Sequence, residues 1–196
     1  MDQALRFLVD TAFGLLTYAF LLRFMMQSLR APFRNPVGPA VVALTDWAVK
    51  PVRRVVPGIS GVDWATLLLA LLAQWLWLLA VTAIAGGGLR APGVALFILV
   101  AMVELLRASI WILIIAVFMQ AILSWVAPDG PLAGLLNALT FRFLAPIRRR
   151  IPPLGGTLDL SALIFIVLAQ LVLMLPVRWL EGMVYQLFRV GGISPS

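Results

Sequence analysis

Between Asp63 and Gly86 the chain runs for 22 residues, Trp64 to Ala85, that are almost wholly apolar and carry no charge. About twenty such residues are what a helix needs to cross roughly 30 Å of hydrocarbon, so this run predicts a membrane-spanning helix with a glycine stop after it. Three further apolar runs extend from about Ala4 to Leu29, from Pro92 to Val126, and from Leu160 to about Leu180. With 63% hydrophobic residues, 12% charged residues and a mean hydropathy of +1.06, the composition excludes a soluble domain, whose core is too small to hide so much apolar surface.

The formal charge of +7 raises the question of nucleic acid, and the placement of the bases answers it. They sit in short loops beside the apolar runs, as the positive-inside rule and anionic lipid headgroups demand, and build no broad basic face with stacking aromatics. Nucleic acid is therefore not an expected partner. The absence of cysteine and histidine removes thiolate and imidazole chemistry and the usual zinc and haem ligands, so no catalytic residue, metal site or cofactor is expected. MDQALRFLVD carries acids early and lacks a basic region before a small-residue cleavage site, which predicts that the first apolar run stays as a membrane helix.

The third run, 35 residues long, exceeds the hydrocarbon thickness, so a continuous helix would protrude and the alternative is a break. Glu104 and Arg107, three apart and able to pair, suggest a membrane boundary there, with Ala108 to Val126 as the spanning part. Pro176 and Arg178 suggest a kink or an early end to the last span, and the Gly, Ser and Pro residues after Arg189 suggest disorder. Two short amphipathic helices are expected between spans: Val37 to Val49, with Asp46 and Lys50 in the favourable acid-first order, and a stretch holding Leu132, Leu135, Leu136, Leu139 and Phe143.

The most informative pattern is a duplication. Residues 51 to 63 read PVRRVVPGISGVD and residues 146 to 159 read PIRRRIPPLGGTLD; FMMQ at 24 to 27 resembles VFMQ at 117 to 120, and LAQ at 72 to 74 returns at 168 to 170. The offset of 93 to 96 residues divides the chain into a first repeat at 1–88, a second at 89–182 and a tail at 183–196. Two spans per copy make the repeats parallel, so the expected fold is all-α and integral to the membrane. It has four transmembrane helices from two tandem units of helix, basic loop with short amphipathic helix, and helix. Both basic loops then share a face, which should be cytoplasmic, with the termini outside.

AILSWVAP at 121 to 128, PIRRRIPPLGGTLDLS at 146 to 161 and PVRRVVPGISGVD resemble the YggT family of bacterial membrane proteins, related to the YlmG proteins of cyanobacteria and chloroplasts. In the first copy SLRAPFRNP at 28 to 36 replaces the I-L-S-W-like segment that holds Ser124 and Trp125 in the second. The resemblance implies a small protein of the bacterial inner membrane tied to osmotic tolerance, cell division or nucleoid distribution, with some chloroplast relatives assisting cytochrome assembly. It implies no enzymatic activity.

Arg53, Arg54, Arg148, Arg149 and Arg150 stand between prolines ahead of a Gly-rich turn. Orientation and contact with anionic lipid headgroups account for them, and docking of a membrane-protein partner is the alternative. Asp63 and Asp159, just ahead of apolar runs, suit helix capping or a salt bridge to these arginines. Asp10 and Glu104 are acids at similar depth. Intramembrane acids point to function, while the neighbouring Arg6 and Arg107 offer an interfacial, structural explanation. Gln74 and Gln170, repeated mid-helix, suit hydrogen bonding between helices, and the seven tryptophans suit interfacial anchoring. Two functions follow as expectations. One is a non-enzymatic scaffold or assembly factor presenting its basic loops to lipids and a protein partner, with a homo-oligomer open. The other is a solute or ion conduit lined by Asp10, Gln74, Glu104 and Gln170.

Overall fold

The computed structural model describes residues 2–58, 61–86, 91–151 and 160–190, all-helical with no strand among them. The helices are α1 (Asp2–Ser28), α2 (Val37–Val52), α3 (Trp64–Ile84), α4 (Ala91–Val126), α5 (Ala133–Arg150), α6 (Leu160–Val172) and α7 (Arg178–Val190), with a π-helical turn (Leu173–Val177) joining the last two. Four helical stretches are long and apolar enough to cross a membrane: Gln3–Ser28, Trp64–Ile84, Val94–Val126 and Leu160–Val184.

The long helices run alternately up and down. Gln27 meets Asp63 at one end of the α1–α3 pair while Asp10 meets Trp77 towards the other, so these two are antiparallel. Arg107 reaches Glu181, and Val117 packs with Ala162, which sets α4 against the α6–α7 helix in the same way. The short helices lie at a single end of the bundle. α2 packs on the C-terminal half of α1, α5 on that of α4, and Gly134 at the start of α5 faces Pro32 in the α1–α2 loop. A shared core at this end joins Leu21 and Met26 of α1, Val49 of α2, Ala70 of α3, Ala116 of α4 and Leu139 of α5.

Local chemistry explains the short helices. The Asn35 side-chain oxygen accepts from the N–H groups of Val37 and Gly38 at 2.9 and 3.0 Å, tying down donors that the first turn of α2 leaves free. Gly38 itself is required, because a Cβ there would lie 2.0 Å from the Phe33 carbonyl oxygen. At the other end of α2, Lys50 pairs with Asp46 at 2.8 Å. α5 continues beyond its amphipathic stretch, so Arg148, Arg149 and Arg150 occupy its last turn instead of a loop, where cations favour the negative end of the helix dipole.

The structure decides two expectations about the spans. α4 is one unbroken helix of 36 residues, about 54 Å long, which is the protruding alternative and not the break, and Glu104 and Arg107 pair within it. The final helix also passes Pro176 and Arg178 and continues to Val190, eight residues into the stretch assigned to the tail. Proline lacks an N–H and its ring collides with the carbonyl one turn back; the widened π turn takes up that misfit without ending the helix.

Large apolar side chains around the long helices remain exposed, among them Phe7, Leu68, Ile115, Phe118, Leu163 and Val167. Exposed apolar surface on this scale is foreign to a soluble monomer and natural to helices surrounded by lipid.

Candidate functional site

Polar side chains gather in two places, and the first is the end that carries the short helices. Asp63 precedes α3 and is 8% exposed. Its carboxylate accepts from the Thr66 N–H at 3.4 Å, from the Thr66 hydroxyl, and from Arg53 Nη2 at 2.5 Å. The Gln27 amide completes the cluster, oriented by its neighbours so that its nitrogen donates to Asp63 at 2.6 Å and its oxygen accepts from Arg53 at 2.5 Å. Burial pushes the Asp63 carboxyl up, but the bonds from Arg53 and Thr66 outweigh it and leave the group below its ordinary value. One aspartate thus ties the end of α1, the α2–α3 connection and the start of α3 together.

A second anchor lies one layer deeper. Arg23, 5% exposed in α1, donates from Nη1 to the Thr45 hydroxyl at 2.6 Å and to Asp46 at 2.8 Å. Lys50 first, and then Arg23, hold the Asp46 carboxyl below its ordinary value. Thr45 is fully buried and its hydroxyl bonds back to the Val41 carbonyl. In the second half, fully buried Thr140 bonds back to Leu136 and lies against the Gln120 side-chain oxygen, while Arg148 Nε donates to the Ser161 hydroxyl at 3.3 Å. Ser124 donates to the Ala121 carbonyl beside the same groups. Asp159, the expected counterpart of Asp63, lies outside the described residues.

Around these anchors Arg54, Arg142, Arg149 and Arg150 are exposed, with no acidic partner among the described residues. This end of the bundle therefore offers exposed guanidinium groups on helices whose relative positions are pinned from beneath.

The second polar place is a cavity of about 280 Å³ between α1, α3 and α4. It brings together Asp10, Gln74 and Glu104, which the sequence singled out separately, and adds Thr17 and Arg107. Tyr18, Trp77 and Trp111 supply aromatic walls. Trp77 Nε1 donates to Asp10 at 2.7 Å, and Arg107 lies 3.2 Å from Glu104 while also bonding Glu181 of α7. Arg6 approaches Asp10 only to 3.9 Å, with both groups substantially exposed. Gln74 is the midpoint of the 21-residue α3, so the cavity extends to about 15 Å from either end of that helix. Asp10 and Glu104 therefore line a pocket that reaches the middle of α3. Gln170 does not join it, being half-buried on α6.

The sequence did not single out Arg23, Thr17 or Glu181 as site residues. Arg23 had an available signal: a base inside an apolar run must find a partner, and Asp46 is the first acid that follows it in the chain. Thr17 and Glu181 had none, because their roles arise from contacts between distant segments.

All-helical architecture, four apolar helices of spanning length and lipid-like exposed surface define a multi-pass integral membrane protein. The chain belongs to the CCB3/YggT family, whose sequence description matches residues 2–84 and 99–180. It is 35% identical over 188 residues to an uncharacterized protein of Pseudomonas aeruginosa, covering 93% of each chain. It is 34% identical over 166 residues to an uncharacterized protein in the proC 3' region of Vibrio alginolyticus, covering 84% of this chain and 89% of the relative. With the uncharacterized protein YggT of Escherichia coli strain K12 it shares 32% identity over 171 residues, 87% of each chain. No solved structure matches the chain.

Proposed function

We propose that this protein is a non-enzymatic scaffold or assembly factor of a bacterial inner membrane, acting in envelope assembly, cell division or osmotic tolerance. Its two parallel repeats present one basic cytoplasmic surface to anionic headgroups and to a membrane-protein partner. The observation that carries this is the set of exposed arginines without an acidic partner among the described residues, Arg54, Arg142, Arg149 and Arg150, at the end braced by the Arg53–Asp63 and Arg23–Asp46 pairs. Pinned helices hold cations at fixed spacing, which suits a surface that positions a partner. The matching back-bonds of Thr45 and Thr140, 95 positions apart, support treating the halves as copies of one unit.

Orientation is tested by single cysteines in a chain that has none. Cysteine at Val55 and at Ile151 should react with an impermeant maleimide added from the cytoplasmic face, and cysteine at Ala85 from the outer face. Opposite labelling of Val55 and Ile151 would refute the parallel arrangement.

Docking is tested at Arg148 and Arg149. Lysine keeps the point charge but loses the planar fork that grips a carboxylate. If a partner is clamped through that fork, the double Arg→Lys variant should insert normally, lose its crosslinks to the partner in native membranes and lose function. Unchanged crosslinking and phenotype would reduce these arginines to topology signals. The cavity holding Asp10, Gln74 and Glu104 favours a second function, a polar conduit, for which solute flux in liposomes is the direct measurement.

A further inference from the structure

Besides the polar cavity, the fold holds an apolar groove of about 350 Å³ where α1, α4 and α5 meet, with Val37 of α2 at one end. Its floor is buried: Ala116, Leu135 and Leu139 are 4%, 4% and 2% exposed, whereas Ile115 and Met119 of α4 stand exposed along its rim. Among the described residues that line it, Tyr18 alone carries a polar group.

The depth of the groove matches one leaflet. Along α4 the lining runs from Ile112 to Leu123, about 16 Å at 1.5 Å per residue, close to half of the roughly 30 Å hydrocarbon thickness. Trp64 at the start of α3 and Trp125 near the end of α4 are exposed at the short-helix end, where such rings mark the headgroup level. Leu123 lies just inside Trp125, so the groove begins beneath the headgroups and runs towards the bilayer midplane.

Only hydrocarbon suits such walls, and leaving them bare would forfeit dispersion contacts. Apolar contact does not by itself select one occupant, because lipid chains are as apolar as leucine. The mouth decides. Arg34 stands three residues before Val37 and Arg30 opens the same α1–α2 loop; both are exposed, with no acidic partner among the described residues. Asp129, three residues before Leu132 on the other lip, is the one acid in the two loops, so two guanidinium groups stand against one carboxylate. That balance favours an anionic headgroup, and a phosphate matches the guanidinium fork. A second copy of the chain fits less well. Asp46 and Asp63 at this end are already bonded to Arg23, Lys50 and Arg53, so a copy docked in the same orientation would bring mainly further positive charge.

We propose that the groove holds one anionic diacyl phospholipid, an acyl chain laid between α1 and α4 and its phosphate at Arg30 and Arg34. The inference does not rest on the scaffold function, whose arginines lie elsewhere on this end and serve as the control.

The test is native mass spectrometry of the full chain, released from detergent micelles with increasing dioleoyl phosphatidylglycerol or dioleoyl phosphatidylcholine. The wild type is expected to take up one phosphatidylglycerol ahead of any other lipid, and about fivefold more tightly than phosphatidylcholine. Arg34→Gln, a surface change, should weaken this first step about fivefold, the weight of one cation near an anionic headgroup. Ile115→Trp, which fills the groove from an exposed position, should abolish it. The double variant Arg149→Gln, Arg150→Gln should leave it unchanged.

Equal uptake of the two lipids would overturn the proposal, as would a first step that survives Ile115→Trp or Arg34→Gln at full strength. Loss of that step in the Arg149, Arg150 double variant would also overturn it, placing the lipid on the basic surface. A dimer that Ile115→Trp dissociates would give the groove to a second copy and overturn it too.

Discussion

Replacing Asp46 by Ala should destabilise the protein by about 3 kcal/mol, whereas replacing its partner Arg23 by Met should cost far less. The asymmetry comes from what each change leaves behind. Without Asp46, the Arg23 guanidinium stays buried with only the Thr45 hydroxyl beside it, its Nε already lacking a partner. Without Arg23, the Asp46 carboxylate keeps Lys50 at 2.8 Å and is about a quarter exposed, while methionine refills the buried space with apolar volume. The double variant, with neither charge, should recover most of the loss of the Asp46 variant. Thermal midpoints of the four proteins in one detergent close the cycle, and equal losses from the two single changes would show that Arg23 is not paid for by Asp46.

At Asp63 the expected loss on substitution by Ala is about 2 kcal/mol, the sum of a missing helix cap and bonds withdrawn from buried Thr66. Arg53 adds little, because its side chain is 40% exposed and water replaces its partner. The contribution also depends on pH with a definite sign. Folding lowers the Asp63 carboxyl below its ordinary 3.8, so its stabilisation is fully present above that value and is lost as pH falls through the folded value. Asp46 is shifted the same way and behaves likewise. Asp63→Asn should therefore show a shallower loss of stability than the wild type as pH is lowered below about 4. An identical acid profile would mean that the Asp63 charge contributes nothing measurable to folding.

How far the sequence reveals this protein follows from which forces are local. The apolar runs at Trp64–Ile84 and Leu160–Val172 declare their helices because nothing but length and hydrocarbon decides them. An aspartate immediately before an apolar run, as at Asp63, is readable as a cap because its ligand is its own helix. The Glu104–Arg107 pair is legible only in part: its spacing of three shows along the chain, but Gln74 and Glu181 come to it through the packing of α3 and α7. The same holds for Arg23, whose partner lies 23 residues onward on another helix. Asp10, Gln74 and Glu104 could each be noticed from the sequence; that they share one cavity while Gln170 does not is a product of helix rotation, which hydropathy does not encode.

The π turn at Leu173–Val177 sets the angular phase of everything after it. A π turn holds one residue more than the α turn it replaces, and one residue corresponds to about 100° of rotation around the axis. α7 therefore leaves the turn rotated by that amount relative to a regular continuation of α6, and it is in this orientation that Glu181 meets Arg107. The length of this five-residue segment works as a key cut to a single depth. Loss or gain of one residue within it would swing Glu181 towards lipid and return Arg107 to Glu104 alone.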